Sequence, residues 1–286
     1  MEKMQLRERY LKSKTALSTS AYLFSVLFSY LGSHFIQRVG FSYPHMVLLP
    51  IIAFFLPLLL YAQSEVGTVI GKEKKPFSTS YIPRLLLWLL GLLFGSAAVF
   101  LAFEKGLTVY GVPFSIGSDP FSFVSGALAF ILLPSLFEEL MLRGAWQGNA
   151  QEKCPLGAII ASALMTSVYG FDLVSCLYLL IGGVVFAVVK AQCGSTHATV
   201  WLALLWRGVL LTLLPLVGEW LLALPKRPLW IVLAAALALL CFFFAFKRER
   251  FAPSACARGY KLYLGFFSFF SVVLALLLAF LDSAWI

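Results

Sequence analysis

Three observations predict an all-α, polytopic integral membrane helix bundle with eight or nine transmembrane helices. The chain is 61% hydrophobic and 12% charged, whereas soluble domains are about half apolar and about a quarter charged. Its mean hydropathy is +0.91. Its apolar residues gather into nine runs, most of them close to the roughly 20 residues that span a hydrocarbon core. The runs fall near residues 17–36, 45–62, 84–103, 121–143, 157–170, 173–190, 198–222, 228–246 and 262–281.

The fifth run is short, and two readings of it stay open, a half-buried helix packed inside the bundle or a miscounted boundary, so that eight or nine crossings are both expected readings. A single membrane domain is expected to use residues 1–286. It divides into N-terminal helices 1–3 (1–119), a central part (120–215) and C-terminal helices (216–286). The first run follows a basic segment without a small-residue cleavage site and reads as a signal anchor.

Orientation follows from the cations. With nine crossings, seventeen Lys and Arg fall in the loops on the side of the N-terminus and four on the other side, with Arg207 inside a run. Lys and Arg are retained on the cytoplasmic side, so the N-terminus is expected in the cytoplasm and the region of Glu138 near the cytoplasmic face. The expected setting is a bacterial inner membrane. Residues 104–120, rich in glycine and proline, form an outer loop that is either a small lid or a connector. The formal charge of +9 lies in short clusters without interleaved stacking aromatics, so no nucleic acid is expected. Five cysteines without C-x-x-C spacing indicate neither a disulfide framework nor a zinc knuckle, and most read as reduced packing residues.

Ionisable groups inside membrane helices are expensive and point to function. In Leu133-Pro134-Ser135-Leu136-Phe137-Glu138-Glu139-Leu140-Met141-Leu142-Arg143-Gly144, Glu139 and Arg143 share a helix face and can pair. Glu138 turns about 100° away. Pro134 frees the carbonyl of Phe130 and kinks the helix. Burial would raise the pKa of Glu138 toward that of a general base, while Arg143 would keep Glu139 ionised. The plainer reading, that these charges are solvated at a helix end, stands beside it.

The pattern of Glu138, Glu139, Arg143 and Gly144 behind a proline-containing apolar run resembles the first motif of the CPBP (Abi) family, which includes the CAAX prenyl endopeptidases and bacteriocin-immunity proteins. The resemblance spans roughly residues 120 to 215. It implies a multi-helix intramembrane peptidase in which the first glutamate and a histidine activate water, as a metal-bound or metal-free pair. A later motif would stabilise the oxyanion. Catalytic roles thus fall on Glu138, Glu139 and Arg143.

The family's second motif, F-x-x-x-H, has its counterpart in Met165-Thr166-Ser167-Val168-Tyr169. The third, H-x-x-x-N or D, falls on Ala203-Leu204-Leu205-Trp206-Arg207. Both histidines are absent, and Tyr169 and Arg207 become pocket residues. A phenol cannot replace imidazole as a base. Arg207 in this register faces Glu138, either pairing with it and disabling it or polarising a substrate carbonyl.

Zinc needs three or four well-placed donors, so neither zinc nor another cofactor is expected. His34, His45 and His197 lie outside the helix interiors, and His197 is the one candidate for rescue.

Three functions remain in view: a divergent peptidase acting on a membrane peptide or lipidated protein near the cytoplasmic leaflet, an inactive pseudoprotease serving as membrane scaffold or regulator, and a small-molecule transporter. Membrane lipids are the expected surroundings in all three. The runs Phe242 to Phe246 and Phe266 to Phe270 are expected to face lipid or pack.

Overall fold

The structure, a computed structural model, describes residues 2–39, 43–63, 81–113, 120–151, 154–246 and 258–284. All nine apolar runs lie in helices, with only the last residue of the eighth, Phe246, falling at a C-cap. The helices are α1 (Glu2–Val39), α2 (43–63), α3 (Ile82–Phe103), α4 (120–151), α5 (Pro155–Gly170), α6 (Leu173–Cys193), α7 (Thr196–Leu222), α8 (Arg227–Ala245) and α9 (Arg258–Ala284). A two-residue antiparallel pair, β1 (Thr108–Val109) and β2 (Val112–Pro113), lies between α3 and α4. Among the described residues, α2 to α4 and α6 to α9 are seven helices long and apolar enough to cross a membrane. The protein is therefore an all-α, multi-pass membrane bundle. Residues 64–80 and 247–257, which carry many of the cations counted for orientation, lie outside the described residues.

The remaining two runs fall short of that measure for physical reasons. α5 spans only Pro155–Gly170. α1 carries a stripe of buried serines, Ser18, Ser25, Ser29 and Ser33, while Phe24, Leu27, Leu31 and Phe35 are exposed. The helix thus turns its small polar face to the bundle and its apolar face outward, as close packing between membrane helices favours.

Helix ends and close approaches are set by single residues. Asp172 caps α6, its Oδ1 accepting from the backbone N–H groups of Val174 and Ser175 at 3.1 and 3.0 Å. The α5–α6 turn is tight enough that a Cβ on Gly170 would lie 2.4 Å from the backbone nitrogen of Cys176. α5 and α6 touch along their backbones, because a Cβ on Gly183 would lie 2.8 Å from the carbonyl oxygen of Ala163. Gly183→Ala is therefore expected to push α5 from α6 and cost about 1–3 kcal/mol, read as a lowered unfolding midpoint in mild detergent. α8 lies along α3, with Phe242 over Gly91 and Trp88. Phe243, Phe244, Phe266 and Phe269 point outward. Cys176, Cys193 and Cys241 are reduced thiols, as expected for most of the cysteines, whereas Cys154 is disulfide-bonded.

Candidate functional site

α4 is not a regular helix. Two π-helical turns, Leu128–Leu132 and Leu140–Gln147, flank the α-helical stretch Leu133–Glu139 that carries Pro134, Glu138 and Glu139. Such wide turns arise where the regular hydrogen-bond ladder is interrupted, and they concentrate at functional sites. The proline removes one rung, and the wider turns set both glutamates toward the bundle interior, each 2% exposed.

The two carboxylates have different surroundings. Glu138 is held at both oxygens: Tyr110 Oη donates to Oε1 at 2.7 Å, and Arg207 Nη2 donates to Oε2 at 2.5 Å. Glu139 lies 3.5 Å from Arg143 Nε, with the Thr199 hydroxyl as a second neighbour. Arg143 is fully buried and spends its fork elsewhere. Its Nη1 donates to the Ser162 carbonyl at 3.1 Å and to the Ser162 hydroxyl. Its Nη2 donates to Thr166 Oγ1 at 2.8 Å and to the Gly183 carbonyl at 3.1 Å. A group first expected to be catalytic thus ties α4 to α5 and α6.

Tyr169 occupies the place matched to the family's histidine, but its phenol hydrogen-bonds Ser25 of α1 rather than Glu138. Its ring is wedged among Tyr22, Phe54 and Tyr110, with centroid separations of 5.8, 5.1 and 6.3 Å. It lines the carboxylate pocket as an aromatic wall. His197 is exposed in the first turn of α7, ten residues and so about 15 Å along the helix from Arg207, too far to act on Glu138.

The plainer reading, that these charges are solvated at a helix end, is corrected: Glu138, Glu139 and Arg143 are all buried. α4 continues to residue 151, about 20 Å beyond Glu138. Glu138 also meets Arg207 near the middle of α7, at the depth where Phe54, central in α2, packs on Tyr110 and Tyr169. The site is midway through the bundle.

Tyr110 reaches that depth because β1 and β2 form a two-residue hairpin whose central residues, Tyr110 and Gly111, have φ of +53° and +75°. Two positive φ values in succession define the turn that matches strand twist. Non-helical backbone at membrane depth is tolerated only inside protein, and here it is clamped. Thr108 Oγ1 donates to Asp172 Oδ2 at 2.7 Å, the Thr108 N–H donates to Ser175 Oγ at 3.0 Å, and Lys105 Nζ lies 3.1 Å from Asp172 Oδ1. Burial pushes the Asp172 carboxyl up, but the hydrogen bonds from Ser175 and Thr108 and the charge of Lys105 outweigh it and hold the group below the usual carboxylate range.

Tyr110 and this clamp are the functional neighbourhood that sequence reasoning missed. The available signal was Val109-Tyr110-Gly111-Val112, two β-branched residues around an X-Gly turn.

The residues present do not fit a metal. The cation beside Glu138 is the Arg207 guanidinium, the matched histidine positions hold Tyr169 and Ala203, and the space among Tyr110, Glu138, Tyr169 and Arg207 does not hold a water molecule. Among the described residues no three His, Cys, Asp or Glu side chains converge.

Residues 120–203 match the model of a family described as type II CAAX prenyl endopeptidase Rce1-like. No curated protein and no solved structure matches the chain.

Proposed function

We propose, from the premise that residues 120–203 form a CAAX-protease-like core, that this chain is a catalytically silent relative: a membrane scaffold or regulator that keeps the peptidase bundle and binds a membrane peptide or lipidated protein without cutting it. One observation carries the reading. Both oxygens of Glu138, the carboxylate that the family resemblance makes the water-activating base, are already engaged by Tyr110 and Arg207.

A general base must accept a proton from water within hydrogen-bond reach. Each oxygen of Glu138 already accepts a bond, from Tyr110 and from Arg207, and the space beside them has no room for the water it would have to activate. Tyr169, on Ser25, supplies no base in the histidine's place. Electrostatic stabilisation of an oxyanion by Arg207 would require the cation to be free of its carboxylate. The same closure weighs against a transporter, whose buried charges line a polar cavity. In this reading the N-terminus is cytoplasmic, following the excess of Lys and Arg on its side.

The test is hydrolysis of CAAX-like and other membrane peptides by the purified protein in lipid, beside Glu138→Ala and Glu139→Ala. The expected result is no cleavage above that of Glu138→Ala. Cleavage by the unmodified protein that Glu138→Ala abolishes would make the chain an active peptidase and end the proposal.

A further inference from the structure

Away from the carboxylates, the end of the bundle where α3 finishes holds a groove of about 370 Å³ between residues 105–108 and the C-terminal half of α7. Its walls are apolar: Phe100, Leu107, Leu210, Leu211, Leu214 and Leu222. Two opposite charges, Lys105 and Glu219, lie in its lining. Lys105 is half exposed and gives one contact to Asp172, which leaves donors of its ammonium group free, since that group carries three. Glu219 is exposed, and its carboxylate pairs with no cation among the described residues.

The depth of the groove is readable. Trp220 is 67% exposed beside Glu219, and Trp230 and Arg227 follow at the start of α8. Exposed tryptophan and basic residues mark the boundary between headgroups and hydrocarbon. From Glu219 down to Leu210 is nine residues, about 13 Å along α7. The groove therefore runs from the headgroup level into the hydrocarbon, polar at the top and apolar below.

We propose that this groove holds one aminophospholipid of the phosphatidylethanolamine type, its acyl chain along Leu210 and Leu214, its phosphate at Lys105 and its primary ammonium at Glu219. Charge complementarity selects this occupant. A lipid with an anionic headgroup alone would leave Glu219 facing negative charge, and a quaternary ammonium cannot donate the charge-assisted hydrogen bond that a primary ammonium gives a carboxylate. Thr108, part of the groove wall, is also the residue that fastens the Tyr110 hairpin to Asp172, so the bound lipid braces the hairpin over Glu138. The inference rests on the membrane bundle and stands apart from whether the site is silent.

The test uses the full chain in nanodiscs of mixed phosphatidylethanolamine, phosphatidylcholine and phosphatidylglycerol, with retained lipid identified by native mass spectrometry after detergent release. The expected result is one retained phosphatidylethanolamine, with about a tenfold preference over phosphatidylcholine, the range of a hydrogen bond to a charged group. Glu219→Gln removes the preference while leaving a lipid in place, and Leu214→Trp, which fills the groove, removes the lipid. Retention without headgroup preference, or a preference unchanged in Glu219→Gln, overturns the assignment. Because Glu219 is exposed, its variant keeps the test decisive even where Leu214→Trp does not fold.

Discussion

Arg207→Met is expected to destabilise the protein by about 3–5 kcal/mol, the range for breaking a buried ion pair from one side. Ordinary interhelical hydrogen bonds in membranes are worth only about 0.6 kcal/mol on average, so the size of the loss separates an essential ion pair from an incidental contact. The larger figure is favoured because Arg207 is 3% exposed and Glu138 2% exposed. Without the guanidinium, Glu138 keeps only the Tyr110 phenol, and its second oxygen is left buried without its donor. Chemical or thermal unfolding in mild detergent measures the loss. A cost below about 1 kcal/mol would mean that Arg207 is not the partner of Glu138. Freeing the carboxylate in this way is not expected to start hydrolysis, because neither matched histidine position supplies an imidazole.

Arg143→Met carries the second large effect, also about 3–5 kcal/mol. The guanidinium holds acceptors on two other helices: the Ser162 carbonyl and hydroxyl and Thr166 Oγ1 on α5, and the Gly183 carbonyl on α6. Removing it orphans buried polar groups and loosens the α4–α5–α6 contact together. Arg143→Lys keeps the charge beside Glu139 but loses the planar fork, so it is expected to recover only part of the loss. Glu139→Gln, by contrast, removes a partner 3.5 Å away and should cost less than Arg143→Met. Equal costs for Glu139→Gln and Arg143→Met would show that Arg143 serves the glutamate rather than the helices.

The helices of the described residues were legible in the sequence because most of them are specified by a simple quantity, apolar length. The Glu139–Arg143 pair was legible because four residues make one helical turn. Counting onward through the family's spacing put Arg207 opposite Glu138, where the structure also brings it.

What the sequence did not disclose depends on contacts between distant segments. The outer loop looked like turn chemistry, and nothing local to it reveals that Tyr110 descends to Glu138 or that Asp172, 64 residues from Thr108, clamps it there. The charges at Glu138 to Arg143 suggested the end of a helix, yet α4 runs on through Gln147. That side chain is fully buried, with its Nε2 donating to the Ala187 carbonyl at 2.9 Å. Polarity ends an apolar run in a sequence, but it does not end a helix whose polar groups find partners inside the bundle. In the same way the serines of α1 lower its hydropathy and are nonetheless its packing face.

The central claim is that Arg207 has taken the carboxylate that a peptidase of this family would use. The double-mutant cycle of Glu138→Gln and Arg207→Met, read as unfolding free energy in lipid or mild detergent, tests it most directly. The account predicts strong coupling, with the double variant recovering at least about 1 kcal/mol of the summed single losses, as expected for residues in contact. Strictly additive losses would contradict it.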